Sequence, residues 1–420
     1  MRRHRRHGVP ALTLLAGVVV SCGSVEASFP RSERAAATFE LAAVAAEACT
    51  ISGTGGDDVL RGTSQGDTLC GLGGHDVLIG RGGGDTLIGG PGSDGLYGGG
   101  GADSLDGGGD IDLLDGGPRR DALDGGAGGD RCDPKQHDRA TSCWGPGSSP
   151  VIAAAGDIVC APGASPSETA CQHEATSKLL ARRDPWLVLT LGDNQYEDGA
   201  LEDFRRSYSA SWGRVKAITR PSVGNHDYHV AGAGDYFSYF GPPAGRRGRG
   251  YFSFDVGDWH VVALNSNCGE VGGCERGSRQ ERWLRQDLAA HPWTCTLAYW
   301  HHPRFSSGLH GNSAASAAFW RALYDAGADV VLNGHDHTYE RFAPQDPRQR
   351  PDGNGIREFV VGTGGRNLYA FGGPEPNSQV RNNHTFGVLE LTLRADGYDW
   401  RFLPAAGGSF EDSGSDTCSA

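Results

Sequence analysis

Residues 186–196 read WLVLTLGDNQY, an apolar run that stops at Gly192 and hands over to Asp193, Asn194, Gln195 and Tyr196. Four more short motifs share this design: Gly156-Asp157, Gly224-Asn225-His226-Asp227, Trp300-His301-His302-Pro303 and Gly334-His335-Asp336-His337. Apolar runs at Val151 to Ala155 and Val330 to Leu332 lead into two of them. Each candidate ligand therefore sits where a buried strand leaves its sheet, the place where open α/β sheets gather ligands.

The residue types suit metal chemistry. Carboxylates, an amide oxygen and neutral imidazoles fit Zn, Fe or Mn, whereas a thiolate-rich set would point to structural zinc. Two metals roughly 3.5–4 Å apart need one shared anionic ligand and several private ones, which this set supplies. One such motif is an ordinary turn; five in order describe a site.

Over about residues 150–405 this series resembles the calcineurin-like metallophosphoesterases, and among them the purple acid phosphatases. Tyr196 is the discriminating residue, since G-D-x-x-Y places a phenol beside the bridging carboxylate, and G-H-D-H-T-Y-E-R ending at Arg341 has the same flavour. The resemblance implies an α+β/α/β fold, a two-sheet sandwich flanked by helices. It implies one metal on Asp157, Asp193, Tyr196 and His337 and a second on Asp193, Asn225, His301 and His335. A phenolate favours Fe3+ in the first site, leaving Zn2+, Fe2+ or Mn2+ for the second.

The implied reaction is hydrolysis of a phosphate monoester by a metal-bridging hydroxide, with His226 protonating the leaving group and His310 facing the substrate. Asp227 either orients His226 or is a turn carboxylate. His302 is placed behind the ligands or in packing, because adjacent strand residues face opposite sides. Asp336 reads as a loop residue, and Tyr339, Glu340 and Arg341 as loop braces. Ile158-Val159-Cys160 departs from the family, which usually places a glycine two positions after the aspartate. The fibronectin-like domain of plant relatives has no counterpart. A phosphodiesterase or nucleotidase with the same metals is an alternative.

From Gly53 to Asp133 the chain divides into nine consecutive nonapeptides of the form G-G-x-G-x-D-x-L-x. Asp58, Asp67, Asp76, Asp85, Asp94, Asp103, Asp112, Asp121 and Asp130 all take the sixth position. This resembles the RTX-type calcium-binding β-roll, in which two nonapeptides make one coil. Glycines permit tight turns, aspartates and turn carbonyls offer hard oxygen ligands, and leucines fill a thin core. A disordered Gly/Asp linker would not keep register nine times. With 15 Asp and 5 Arg the segment carries a net −10 of the chain's −13, so its folding should depend on Ca2+. Arg119-Arg120 and Ser64-Gln65 spoil their turns, so fewer sites are expected than the register allows.

Arg2, Arg3, Arg5 and Arg6 precede an apolar run from Val9 to Val20, the pattern of an export signal. Cleavage after Ala27 and lipidation at Cys22 are both open, giving a secreted or lipid-tethered protein without a transmembrane segment. The expected organisation is signal peptide 1–27, Ala-rich leader 28–52, repeats 53–133, linker 134–150, catalytic domain 151–405 and tail 406–420. Ten cysteines besides Cys22 suit disulfides: Cys132 with Cys143, Cys160 with Cys171, Cys268 with Cys274, and by elimination Cys49 with Cys70 and Cys295 with Cys418. Helices are expected at 168–182, 201–216, 279–291 and 313–326, with a capping box of Ser278 and Glu281. Strand pairs are expected at 251–256 with 260–265 and at 386–393 with 398–402. Residues 228–250, with Arg246, Arg247 and Arg249, read as a long loop, solvated or binding an anionic substrate tail. No nucleic-acid-binding patch is evident. The repeats could instead bind a cell surface or matrix, which would make the chain a calcium-dependent surface protein with a secondary phosphatase domain.

Overall fold

The computed structural model describes residues 49–133, 138–143, 149–292, 295–405 and 407–419. The export signal, Cys22, most of the leader and part of the linker lie outside them.

The repeats coil into two parallel sheets. One orders Ile51–Ser52, Thr68–Cys70, Thr86–Pro91, Ser104–Gly109, Ala122–Ala127 and Arg139–Thr141; the other orders Val59–Arg61, Val77–Gly82, Gly95–Gly100, Leu113–Asp115 and Arg131–Cys132. Each strand pairs with the one two repeats later: Leu60 lies beside Leu78, and Leu87 beside Leu105. The stacked leucines between the sheets form a core of their own. Cys49–Cys70 and Cys132–Cys143 close its two ends. The coil runs past Asp133, since Arg139–Thr141 pairs with Ala122–Ala127, so part of the expected linker belongs to the roll.

The rest of the chain forms two facing sheets. The first orders Thr219–Ser222, Leu187–Leu191, Val151–Ala155, Gly387–Arg394, Gly397–Pro404 and Ser413–Thr417. The second orders Phe252–Val256, Trp259–Ala263, Cys295–Trp300, Val330–Asn333, Arg357–Val361, Tyr339–Phe342 and Ser378–Asn382. One apolar core lies between them, and a second holds the helices Arg279–Ala290 and Ala317–Asp325 against the outer face of the second sheet. The supposed tail supplies the strand Ser413–Thr417, and Cys418 is bonded to Cys295. All five disulfide pairings are formed.

Several elements differ from expectation. The first helix is His173–Arg183; before it, Cys171 is tied to Cys160 and takes a left-handed φ of 58°, which helix cannot extend through. The expected helix at 201–216 is a short α segment Leu201–Asp203, a π turn Phe204–Tyr208 and a 3-10 turn Trp212–Val215. Phe204, Tyr208 and Trp212 are all fully buried, and the wider π turn keeps the first two rings together, with centroids 5.7 Å apart. The long loop at 228–250 contains the helix Gly234–Phe240, whose Tyr236, Phe237, Tyr239 and Phe240 enter the core. At the third helix Ser278 accepts from Glu281 N (3.3 Å), but Glu281 returns to Gly277 N (2.9 Å) rather than to Ser278.

Candidate metal centre

Five parallel strands, three from the first sheet and two from the second, end at one place. Asp157, Asp193 with Tyr196, and Asn225 with His226 follow the first three; His301 and then His335 with His337 follow the other two. Such sharp exits strain the backbone: Asp157, Asp193 and His335 have φ of 60°, 47° and 69°, a region that β-carbons normally avoid. Two glycines make room. A β-carbon on Gly192, itself at φ 84°, would lie 2.5 Å from His301 Nδ1, and one on Gly224 would lie 2.1 Å from Asp193 Oδ1.

The side chains that converge there are mostly acceptors. His301 Nδ1 donates to the Leu191 carbonyl (2.8 Å), so in the neutral ring Nε2 presents a lone pair. That atom faces Asn225 Oδ1 at 3.0 Å, Asp193 Oδ2 at 3.3 Å and His335 Nδ1 at 3.2 Å. His337 Nδ1 likewise donates to the Asn367 carbonyl (2.7 Å), turning Nε2 toward Asp157 Oδ1 (3.2 Å) and the Tyr196 phenol (3.0 Å). The phenol also meets Asp157 Oδ1 at 3.0 Å and Asp193 Oδ2 at 3.1 Å, offering one proton to three acceptors. Converging lone pairs in a buried site are what a pair of cations satisfies, and the O/N donor set fits them. Burial opposes charge here, yet the Asp193 carboxylate pushes His301 up to about 9; Asp193 is itself driven well below the carboxylate range, against its burial, by His301.

The roll shows the same pattern in oxygen. From Asp76 to Asp130, Oδ1 of each sixth-position aspartate accepts the N–H of the aspartate one coil earlier, as from Asp76 N to Asp94 (2.7 Å) and from Asp85 N to Asp103 (2.8 Å). Oδ2 of Asp76, Asp85, Asp94, Asp103, Asp112, Asp121 and Asp130 is buried without a hydrogen bond. A β-carbon on Gly80 would fall 2.4 Å from Asp85 Oδ2 and 2.5 Å from the Gly98 carbonyl, so glycine there leaves an oxygen-lined cradle that fits a hard cation. Asp58 and Asp67 differ: their Oδ2 atoms accept from Thr54 and Thr63. The Arg119-Arg120 repeat, expected to be poor, keeps the orphan oxygen of Asp121.

Family models match at both places: the calcineurin-like phosphoesterase at residues 150–339, and the RTX calcium-binding nonapeptide repeat at residues 50–78 and 79–114. The chain carries a calcineurin-like phosphoesterase domain behind RTX repeats. The phosphoesterase domain is similar to purple acid phosphatase 15 of Arabidopsis thaliana, 30% identical over 40% of this chain and 37% of the relative, and to purple acid phosphatase 21 of that plant, 30% identical over 45% and 46%. Acid phosphatase type 7 of Danio rerio is 26% identical over 38% of this chain and 42% of its own length. The chain thus spans less than half of each relative. A purple acid phosphatase from yellow lupin seeds shares the fold, with a TM-score of 0.54 at 20% identity over 64% of this chain and 54% of that one.

Around the converging side chains, the phosphoesterase domain places other groups, some of them unexpected. His226 Nδ1 donates to the Glu197 carbonyl, and its ring lies 4.4 Å from that of Tyr196. Asp227 does not reach that ring. It is fully buried, accepts from Asn194 Nδ2 and Gly224 N (2.9 Å each), and braces two strand exits, which removes the orienting role suggested by its place in the motif. His310 stacks on His335 at 4.2 Å, held by a bond from its N–H to Asp336 Oδ1 (2.8 Å), so Asp336 is more than a loop residue. His302 comes closer than strand alternation allows, 4.4 Å from the His335 ring, because the strand ends at Trp300 and alternation ends with it. Burial and neighbouring His301 push it down to about 3, and it bonds Ser266. Tyr339 and Arg341 bond Asp412, and Glu340 bonds Ser307, as braces.

Two groups escaped sequence reasoning altogether. Tyr369 stacks on His337 at 4.0 Å, and Arg366 lies over the Tyr196 ring at 5.1 Å while pairing with Glu197 (2.6 Å). Both follow the strand Arg357–Val361 through a glycine-rich exit, Gly362-Thr363-Gly364-Gly365, a sixth strand end that carried a usable signal.

Proposed function

We propose that this chain is an exported phosphomonoesterase of purple acid phosphatase type, working with two metal ions and with calcium in its repeats. The observation that carries the reading is the Tyr196 phenol within 3.0–3.1 Å of Asp157, Asp193 and His337, an arrangement suited to a hard trivalent ion. Asp157, Asp193, Tyr196 and His337 would hold that ion, Fe3+, and Asp193, Asn225, His301 and His335 a divalent partner such as Zn2+, Fe2+ or Mn2+. Bound there, the pair supplies Lewis-acid activation of water and charge neutralisation on the phosphoryl oxygens.

The chain's own residues do the rest. Leu191 and Asn367 carbonyls hold His301 and His337 in the tautomer that exposes Nε2. His310, fixed through Asp336, is placed for a phosphoryl oxygen. Water adds to phosphorus, the bond to the ester oxygen breaks, and His226 hands a proton to the departing alkoxide while Glu197 keeps Nδ1 protonated. The five disulfides support export to an oxidising compartment, which is also where calcium is plentiful.

The test is hydrolysis of p-nitrophenyl phosphate beside bis-p-nitrophenyl phosphate, with His301→Ala as control. Loss of a metal ligand should cut monoester kcat/KM by more than about 100-fold, since even groups behind a metal ligand cost 10–100-fold. Preference for the diester would assign the site to a phosphodiesterase. Absence of turnover in protein shown to hold two metals would overturn the reading.

A further inference from the structure

The two turn rows of the roll are chemically alike in their aspartates but not in what lies against them. The row of odd repeats carries Asp58, Asp76, Asp94, Asp112 and Asp130, and the row of even repeats carries Asp67, Asp85, Asp103 and Asp121. The difference is in the fifth position of each nonapeptide. In even repeats it is Gly66, Gly84, Ala102 and Arg120, all exposed. In odd repeats it is Asp57, His75, Ser93, Ile111 and Gly129, none exposed.

These odd fifth positions form a ladder against the phosphoesterase body. Asp57 accepts from Ser209 Oγ. The His75 carbonyl accepts from Lys216 Nζ (2.5 Å), and Ser93 Oγ donates to the Arg214 carbonyl (3.0 Å). Ile111 packs against the body's larger apolar cluster. One residue beyond Gly129 and Asp130, Arg131 pairs with Asp184 (2.6 Å) and donates to the Pro185 carbonyl (2.9 Å). The rungs are also bonded to one another, His75 N to Asp57 Oδ1 (2.8 Å) and Ser93 N to His75 Nδ1 (3.0 Å).

Charge does not balance along this seam. Asp57 and the five odd-row aspartates are six carboxylates, and the cations placed among them are Lys216, 4% exposed and 4.4 Å from the Tyr239 ring, and Arg131. Oδ2 of Asp76, Asp94, Asp112 and Asp130 has no hydrogen bond at all. Buried carboxylates in that condition either take up protons or take a cation.

We propose that the odd row is a calcium-dependent seam: cations held by Asp76, Asp94, Asp112 and Asp130, together with Lys216, fasten the roll onto the phosphoesterase body and stabilise that body. The even row faces away and stiffens only the roll. The repeats on this view act inward, as part of the catalytic domain's support.

Tryptophan fluorescence reports on the body in a Trp144→Phe background, because residues 53–133 contain no tryptophan and the other eight of the chain's nine, Trp186, Trp212, Trp259, Trp283, Trp293, Trp300, Trp320 and Trp400, belong to the body. Thermal unfolding of the full chain, dialysed free of calcium and then given calcium or an equal concentration of magnesium, would be followed by that signal. Calcium should raise the tryptophan-reported midpoint by roughly 5 °C or more, and magnesium by less than half as much. Asp94→Asn should remove at least half of the calcium shift, and Asp103→Asn, its even-row counterpart, should keep most of it. Lys216→Met, which removes a competing cation from the seam, should lower the calcium concentration at half-maximal shift. Bound calcium per chain, measured on each variant, separates a lost site from a misfolded roll. A midpoint indifferent to calcium in protein that binds it, an equal shift with magnesium, or equal losses in the two Asn variants would overturn the proposal.

Discussion

Tyr196 has one proton and three acceptors within 3.1 Å, and burial together with Asp157 raises its pKa well above that of a free phenol. Ionisation of that phenol therefore requires a strong Lewis acid beside it. Iron-loaded, oxidised protein should show a visible phenolate-to-metal absorption band, and Tyr196→Phe should abolish it; a colourless oxidised wild type would move the site to the wider metallophosphoesterases. Asp227→Asn tests a structural role: stability should fall by about 1–3 kcal/mol for loss of a buried charge-assisted acceptor, while the pH profile of kcat/KM keeps its shape. At this scale the ligand-type residues were legible because strand ends declare themselves as apolar run, glycine, polar residue. Asp227 was not, because its partners are backbone and amide groups of a neighbouring exit, Asn194 and Gly224. His302 was not, because alternation is a property of strands and it lies two residues beyond the end of the strand at Trp300, just after its ligand-type neighbour His301.

Among elements, the roll is the most regular and the least forgiving. Gly80→Ala would put a methyl group into the space between Asp85 and the Gly98 carbonyl, so bound calcium should fall by about one ion per chain, read by metal analysis at saturating calcium. In the body, His260 is 1% exposed and bonded through both ring nitrogens, to Asp255 (2.8 Å) and Asp287 (2.9 Å), tying a strand to the helix Arg279–Ala290. Burial works against its charge, yet the bonds to Asp287 and Asp255 raise its pKa above 6.5. Such a group stabilises the fold fully below the unfolded pKa of about 6.5 and loses that contribution as pH rises through its folded value. The difference in thermal midpoint between wild type and His260→Gln should be largest in mild acid and shrink toward alkaline pH. Nonapeptide register and strand pairs were readable from periodicity of 9 and 2. The helix expected at 201–216 was misread because Phe204, Tyr208 and Trp212 give a helical spacing whose actual turns are set by how the rings pack.

At the scale of the whole molecule, the chain closes on itself twice. Cys295–Cys418 staples the last strand to the second sheet, and its removal by Cys418→Ser should cost about 2–5 kcal/mol in reversible unfolding. The overall order of roll then phosphoesterase was legible from two kinds of motif, whereas the contact between them was not, because it is written in a position that the nonapeptide pattern leaves open. Fifth positions differ between odd and even repeats, so the true unit of the roll is one full coil of 18 residues, not nine. Gain or loss of a single nonapeptide ahead of Ser93 would exchange the faces of every repeat before it and turn part of the ladder to solvent. Gain or loss of two would leave each face where it was. Repeat number in such a protein can therefore drift only by even steps, and its parity is as much a structural constraint as any buried side chain.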